Sequence, residues 1–447
     1  MRLEIGEITI NDIQFGAATE VKDGTLHINK KELAKITAQD DRVKSVEVFL
    51  ARPGESVRIL PVKDVVEPRV KIKAGGANAS TDASTASAGA SAATGGIFPG
   101  FMAGVEQVGS GRTHVLKGAA VVTTGKIVGF QEGIIDMSGP GAEYTPFSKT
   151  QNIVLKIEPV DGIKQHEHEV VVRLAGFRAA NYLGEAGKNV KPDNEKVYET
   201  LPLLQQAALY PNLPKVAYVY MLQTQGLLHN TFYYGVDVRQ IVPTFMYPTE
   251  VMDGAIVSGN CVSACDKNPT YIHANNPVIE DLYAEHGKTI NFLGCVITNE
   301  NVTLADKERS SNMTAKLVEY MGADAVIISE EGFGNPDADL VMNCNKIEAK
   351  GIKTVLITDE YAGQDGASQS LADSTPLGNA CVTAGNANEV VTLPPMDTVL
   401  GFPEVANVIA GGWEGSLAAD GSITAEIQVI IGATNELGYG HLTAKAV

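Results

Sequence analysis

The run Ser258-Gly259-Asn260-Cys261 sets a thiol directly after two residues that tolerate left-handed backbone, and a second thiol, Cys265, follows four positions later. A thiolate is a nucleophile near neutral pH, so a loop cysteine can attack a carbonyl or form a redox pair, although an inert buried thiol is the default. Four-residue spacing would stack both thiols on a helix, but Gly259 before them and Asn268-Pro269 after them argue against one. A second set is acidic: Glu300 in "TNEN" (298–301), Glu330, Glu331 and Asn335 in "SEEGFGN" (329–335), and Asp359 in "TDEYAG" (358–363). Such acids can hold a proton or an ammonium group, and the free backbone N–H groups at a helix start can receive a carboxylate or phosphate. The plain alternative is that Glu330 and Glu331 are solvated and Asn335 merely caps a helix. A third set is His166 and His168 in "KQHEHEVVV", which would face one way on a strand. No third ligand accompanies them, a solvated charged edge explains them better, and no metal is assigned. His229, His273 and His286 are isolated and read as surface or core histidines.

The elements that must position these residues are clearest in the second half. "TINFLGCVIT" (289–298) reads as a buried strand, and Met313, Leu317, Val318 and Met321 form one helix face ending near Gly322. "AVIIS" supplies the next strand, Asn335-Pro336 starts a helix whose Leu340, Val341, Cys344 and Ile347 face inward, and Gly351 stops it before the strand "IKTVLIT". This is a βαβαβ order, hence a parallel, flavodoxin-like sheet whose strand carboxyl ends carry the three acidic loops. Upstream, residues 1–73 alternate as a small β-rich domain. Residues 74–96 contain no large apolar side chain and read as a disordered insert, a flexible surface linker without function in preference to a recognition segment. Residues 97–260 read as a mixed α/β region and 261–447 as the parallel-sheet domain. The glycines of "GSGRTH" and "VVTTGKIV" lack the spacing of a dinucleotide or phosphate loop and are read as turns, so no dinucleotide is expected.

Composition bounds the rest. At 447 residues the chain calls for two or three cores, and its net charge of −18 disfavours nucleic acid or an anionic membrane as partner, since phosphate binding needs a basic surface. No 18-residue apolar run occurs. Five cysteines without paired CxxC spacing favour neither a disulfide framework nor a zinc ribbon, and a reducing cytoplasm fits them.

The run "SGNCVSACDKNPTY", with "GSGRTHVLKGAAVVTTGKIVGFQEGIIDMSGPGAEYTPFSKT", "QHEHE" and "TNEN…SEEGFGNPDAD", resembles the proprotein subunit of glycine reductase component B and its sarcosine and betaine counterparts, with the D-proline reductase proprotein a more distant analogue. The resemblance covers nearly the whole chain apart from 74–96. It implies self-cleavage before Cys261 into fragments 1–260 and 261–447, the new terminus becoming a pyruvoyl group. On that reading Cys261 attacks the Asn260 carbonyl, provided the bond sits in a strained, exposed turn that Gly259 and Asn260 shape by adopting positive φ. Loss of sulfur from the Cys261 side chain leaves dehydroalanine, whose imine tautomer hydrolyses to the ketoacyl cap and ammonia.

The resemblance further implies that the pyruvoyl carbonyl condenses with the amine of a small amino acid as a Schiff base, activating the C–N bond for reductive deamination. The attacking selenolate belongs to a separate selenocysteine-containing subunit of component B. Component A, a selenoprotein, and component C then take the carboxymethyl group to acetyl phosphate, with electrons from a thioredoxin-type dithiol. Glycine is the expected substrate, with sarcosine or betaine close behind. Two alternatives stay open: a pyruvoyl decarboxylase acting alone, and an uncleaved flavodoxin-like ligand-binding or scaffold protein.

Overall fold

The computed structural model of the chain describes residues 1–74, 97–259 and 262–438, together with the backbone of the strand Lys445–Ala446. The expected insert lies outside the described residues except for Ala74, which ends a strand, and so does the Asn260-Cys261 pair.

Alternating sequence in the first part builds two large sheets, besides the small three-stranded sheet Asp12–Phe15, Thr25–Ile28, Glu20–Lys22. One runs in the order Asn194–Glu199, Arg2–Thr9, Gly111–Lys117, Arg69–Ala74. The other runs Gly133–Asp136, Val57–Val66, Ala119–Gly125, Gln151–Pro159, Val43–Ala51. The helix Gln165–Glu185 lays Val172, Ala175, Phe177 and Leu183 on the second sheet against Val121, Ile153 and Leu155. His166 and His168 stand on this helix and not on a strand. The shift from alternating to helical spacing begins at "QHEHE" itself, earlier than its charges suggest. His168 is wholly buried, with Nδ1 3.1 Å from Glu169 Oε1, so the expected solvated edge applies to His166 alone.

The later sheet contains the expected strands Asn291–Asn299, Ala325–Ser329 and Lys353–Glu360, with the helices Leu304–Met321 and Asn335–Glu348 between them. Gly322 ends the first of these helices at φ 72°, as its missing Cβ allows. The seven-stranded order is Thr244–Met246, Asn291–Asn299, Lys215–Leu222, Ala325–Ser329, Lys353–Glu360, Cys381–Asn386, Lys445–Ala446. An interior strand, Lys215–Leu222, therefore comes from before position 260 and pairs in parallel with Asn291–Asn299 on one side and Ala325–Ser329 on the other. The sheet is thus not assembled from 261–447 alone, and its two edges are antiparallel.

Period-two burial on that interior strand explains why the parts cannot be separated cleanly. Ala217, Val219 and Met221 face the helices with Val318, Leu340, Cys344 and Ile347, whereas Tyr218, Tyr220 and Leu222 face a core shared with Ile59, Val122 and Ile135 of the N-terminal sheets. In the opposite direction, Thr398–Gly401 adds to Val57–Val66 as a parallel neighbour. No helix among the described residues is long and apolar enough to cross a membrane.

Candidate active site

Parallel strands end together, so their carboxyl-terminal loops meet. Glu300 follows Asn291–Asn299, Glu330 and Glu331 follow Ala325–Ser329, and Asp359 lies in Lys353–Glu360. All four are at most 2% exposed, which removes the solvated alternative for Glu330 and Glu331. Glu300 Oε1 accepts the Glu331 N–H at 2.7 Å, Asp359 Oδ2 accepts the Thr434 hydroxyl at 2.9 Å, and the Thr358 hydroxyl donates to Glu330 Oε1. Asn335 is the first residue of its helix, behind an N-cap Gly334, and its side-chain amide donates to Gln225 Oε1.

Sequence reasoning missed several members of this cluster. Glu436 accepts the Gly332 N–H at 2.9 Å from a part of the chain with no recognisable pattern. Asp266 is buried next to Cys265, the second thiol of the run, whose Sγ lies 3.6 Å from Tyr361 Oη. His273 is neither exposed nor idle: its Nδ1 is 2.7 Å from Tyr220 Oη and its Nε2 3.3 Å from Glu331 Oε1. The place of Asp266 directly after Cys265 is the one signal that could have found it.

The electrostatics follow from burial. Desolvation, reinforced by the neighbouring acids, raises Glu300, Glu330, Asp359 and Glu436 well above the usual carboxylate range. Burial likewise pushes Asp266 up to about 7. Glu331 goes the other way: burial would raise it, but the His273 imidazole, the Gln223 N–H and the Thr231 hydroxyl outweigh that and hold it low. The site therefore combines one stabilised carboxylate with several acids biased toward the proton-bearing form.

Beside these acids is a cavity of about 270 Å³ whose walls include Gln223, Gln225, Val262, Ser263, Asp266 and Asn335. The half-exposed rings of Phe130 and Phe333 stand at its rim, the latter stacked on Tyr361 with centroids 3.7 Å apart. A larger cleft of about 560 Å³ beside Ile8, Asp23 and Lys191 contains none of the candidate residues. Val262 and Ser263 put the position after Cys261 at the first of these cavities, not the second.

The residues just before Asn260-Cys261 are held in place by Arg173 and Thr270. Arg173 donates to the Ser258 carbonyl at 3.4 Å and to the Gly259 carbonyl at 3.2 Å while its guanidinium lies 4.6 Å from the Phe232 ring centre. Thr270, held by Asp64 at 2.7 Å, accepts the Ser258 N–H at 3.1 Å. Gly259 is not in the left-handed region expected of it. Its requirement is steric, because a Cβ there would lie 1.7 Å from the Asn230 carbonyl oxygen.

A reductase-type subunit is the class this chain defines: it belongs to the family of glycine/sarcosine/betaine reductase component B subunits, whose model matches residues 1–445. It is 63% identical over 447 residues to the "Glycine reductase complex component B subunits alpha and beta" of Acetoanaerobium sticklandii, and 56% identical over 445 residues to the "Sarcosine reductase complex component B subunit alpha" of Peptoclostridium acidaminophilum, each match covering the whole of both chains. A distant likeness, 22% identical over 372 residues, is to the "D-proline reductase proprotein PrdA" of A. sticklandii, covering 77% of this chain and 53% of that one. No solved structure matches the chain significantly.

Proposed function

We propose that this chain is the substrate-activating proprotein subunit of a glycine reductase, cleaved before Cys261 so that a pyruvoyl group caps fragment 261–447. The observation that carries this reading is that Val262 and Ser263 line the same cavity as Asp266 and Asn335, beside buried Glu300, Glu330, Glu331 and Asp359. The names of two relatives support it: one is described as two subunits, alpha and beta, over a single chain of this length, and another as a proprotein.

The pyruvoyl group supplies an electron-withdrawing carbonyl that condenses with a primary amine. The residues of the chain do the remainder. Arg173 and Thr270 hold the segment leading into the scissile bond, and Gly259 lets that segment pass against the Asn230 backbone. Asn335, Gln223 and Gln225 offer hydrogen bonds to a small polar substrate in the cavity. Glu331, kept ionised by His273, favours the substrate ammonium on entry, and the acids raised by burial hold protons that a departing amine requires. A selenolate from a partner subunit supplies the attacking nucleophile, and the exposed Phe130 and Phe333 give the cavity mouth an apolar rim for that approach.

Glycine is preferred over sarcosine because the identity to the glycine relative is higher. The decisive experiment is intact mass spectrometry of freshly purified protein. Chains of 260 and 447 − 260 = 187 residues are expected, the shorter carrying a ketoacyl terminus. A single uncleaved chain in active preparations, or a free amino-terminal cysteine, overturns the reading.

A further inference from the structure

Cys265, Asp266 and Asp359 are at most 1% exposed, and one ligand-type atom of each lies within 4.8 Å of the other two. The loop carrying the first two is pinned by its backbone: the Gly432 N–H donates to the Ala264 carbonyl at 2.8 Å and the Thr434 N–H to the Cys265 carbonyl at 3.1 Å. Thr434 also orients Asp359 through Oδ2, whereas Asp359 Oδ1 has no hydrogen-bond partner among the described residues. The adjoining Glu330 Oε2 and Glu436 Oε2 are also buried and without a hydrogen-bond partner among the described residues. None of these carboxyls forms an ion pair with lysine or arginine among the described residues. Buried acceptors of this kind carry a large desolvation cost that a cation removes.

We propose that Cys265, Asp266 and Asp359 form a divalent transition-metal site, of the kind zinc occupies, at the inner wall of the cavity. A thiolate with two carboxylates is a donor set for a borderline-soft dication, and an ammonium group would gain nothing comparable from the sulfur. Tetrahedral ligation needs donor atoms about 3.5 Å apart, so a small contraction of the present triangle suffices and leaves a fourth position free. Asp266 and Tyr361 both line the cavity, which gives an entry path. His166 and His168 take no part. The described lining contains no lysine or arginine. A dication there therefore provides the positive centre that an amino-acid carboxylate requires; this last consequence rests on the proposed function, whereas the site itself does not.

The test is titration of chelator-stripped full-length protein with cobalt(II) chloride, followed by near-ultraviolet absorption and by metal analysis after desalting. About one equivalent should bind, with a thiolate-to-cobalt charge-transfer band that zinc chloride displaces. Cys265→Ser should abolish the band, Asp266→Asn should weaken uptake at least about tenfold, and Cys261→Ala should retain both. Absence of stoichiometric uptake, or a band that survives Cys265→Ser but disappears with Cys261→Ala, overturns the assignment. If Cys265→Ser does not fold, unchanged affinity in Asp266→Asn overturns it. Because the readout is metal binding, failure leaves the cleavage reading standing, and failure of cleavage leaves the metal site standing.

Discussion

Cys261 and Gly259 illustrate two different demands that one short run of sequence can make. The thiol is a matter of reactivity, and its replacement should leave the packing around Val262 and Ser258 unchanged. Cys261→Ala is expected to give soluble, uncleaved and inactive protein, checked by denaturing electrophoresis and turnover; normal maturation would refute the role. Gly259 is a matter of room. With 1.7 Å between an added methyl and the Asn230 oxygen, Gly259→Ala must displace the segment that Arg173 grips, and a displacement of about 1 Å in a reacting geometry costs on the order of a hundredfold in rate. Cleavage of Gly259→Ala, followed by gel densitometry over time, should slow accordingly, and a wild-type rate would show that the close approach to Asn230 does not govern the reaction.

The strand-end loops set the pH behaviour. Glu300, Glu330, Asp359 and Glu436 have folded pKa values raised above their unfolded ones, so the stability they contribute is present at low pH and lost as pH rises through the folded values. Asp266, raised to about 7, places part of that loss near neutrality. Glu331, depressed, acts in the opposite sense, its contribution being lost as pH falls through its folded value. In the presence of a chelator the melting temperature should therefore decline by several degrees between about pH 6 and pH 8, and Glu330→Gln should flatten the decline. Calorimetry showing a rise over that range would contradict the protonation pattern. Between the strands Arg69–Ala74 and Gly111–Lys117, the low-complexity run is expected to be dispensable: deletion of 77–93 leaves Ile97 and Phe98 in their core and should leave cleavage and turnover nearly unchanged. A large loss would make the run a docking element.

The proposed break at 260 would divide a molecule whose sheets are shared. Lys215–Leu222 would belong to one fragment and both of its neighbours to the other, while Thr398–Gly401 would be donated in return to Val57–Val66. The matured protein should consequently migrate as one species of full mass under native conditions and separate only in denaturant, as native mass spectrometry would show; spontaneous separation of 1–260 from 261–447 would contradict the shared core.

What the amino-acid order determined alone were local matters: a βαβαβ alternation, helix stops at Gly322 and Gly351, acids placed at the carboxyl ends of three strands, and the thiol run, each governed by residues close together in the chain. Those acids were legible as a group because parallel strands bring their ends to one edge. Asp266, Glu436 and His273 were not, since nothing near them in sequence marks residues that meet only when loops far apart in the chain are folded together. The insertion of Lys215–Leu222 between two later strands was equally hidden, because an apolar strand fits many neighbours and only burial of both its faces selects one position. Tertiary packing likewise decided that the acids are dry, and it is the removal of water that raises most of them, while the contacts packing gives Glu331 with His273, Gln223 and Thr231 keep that one ionised.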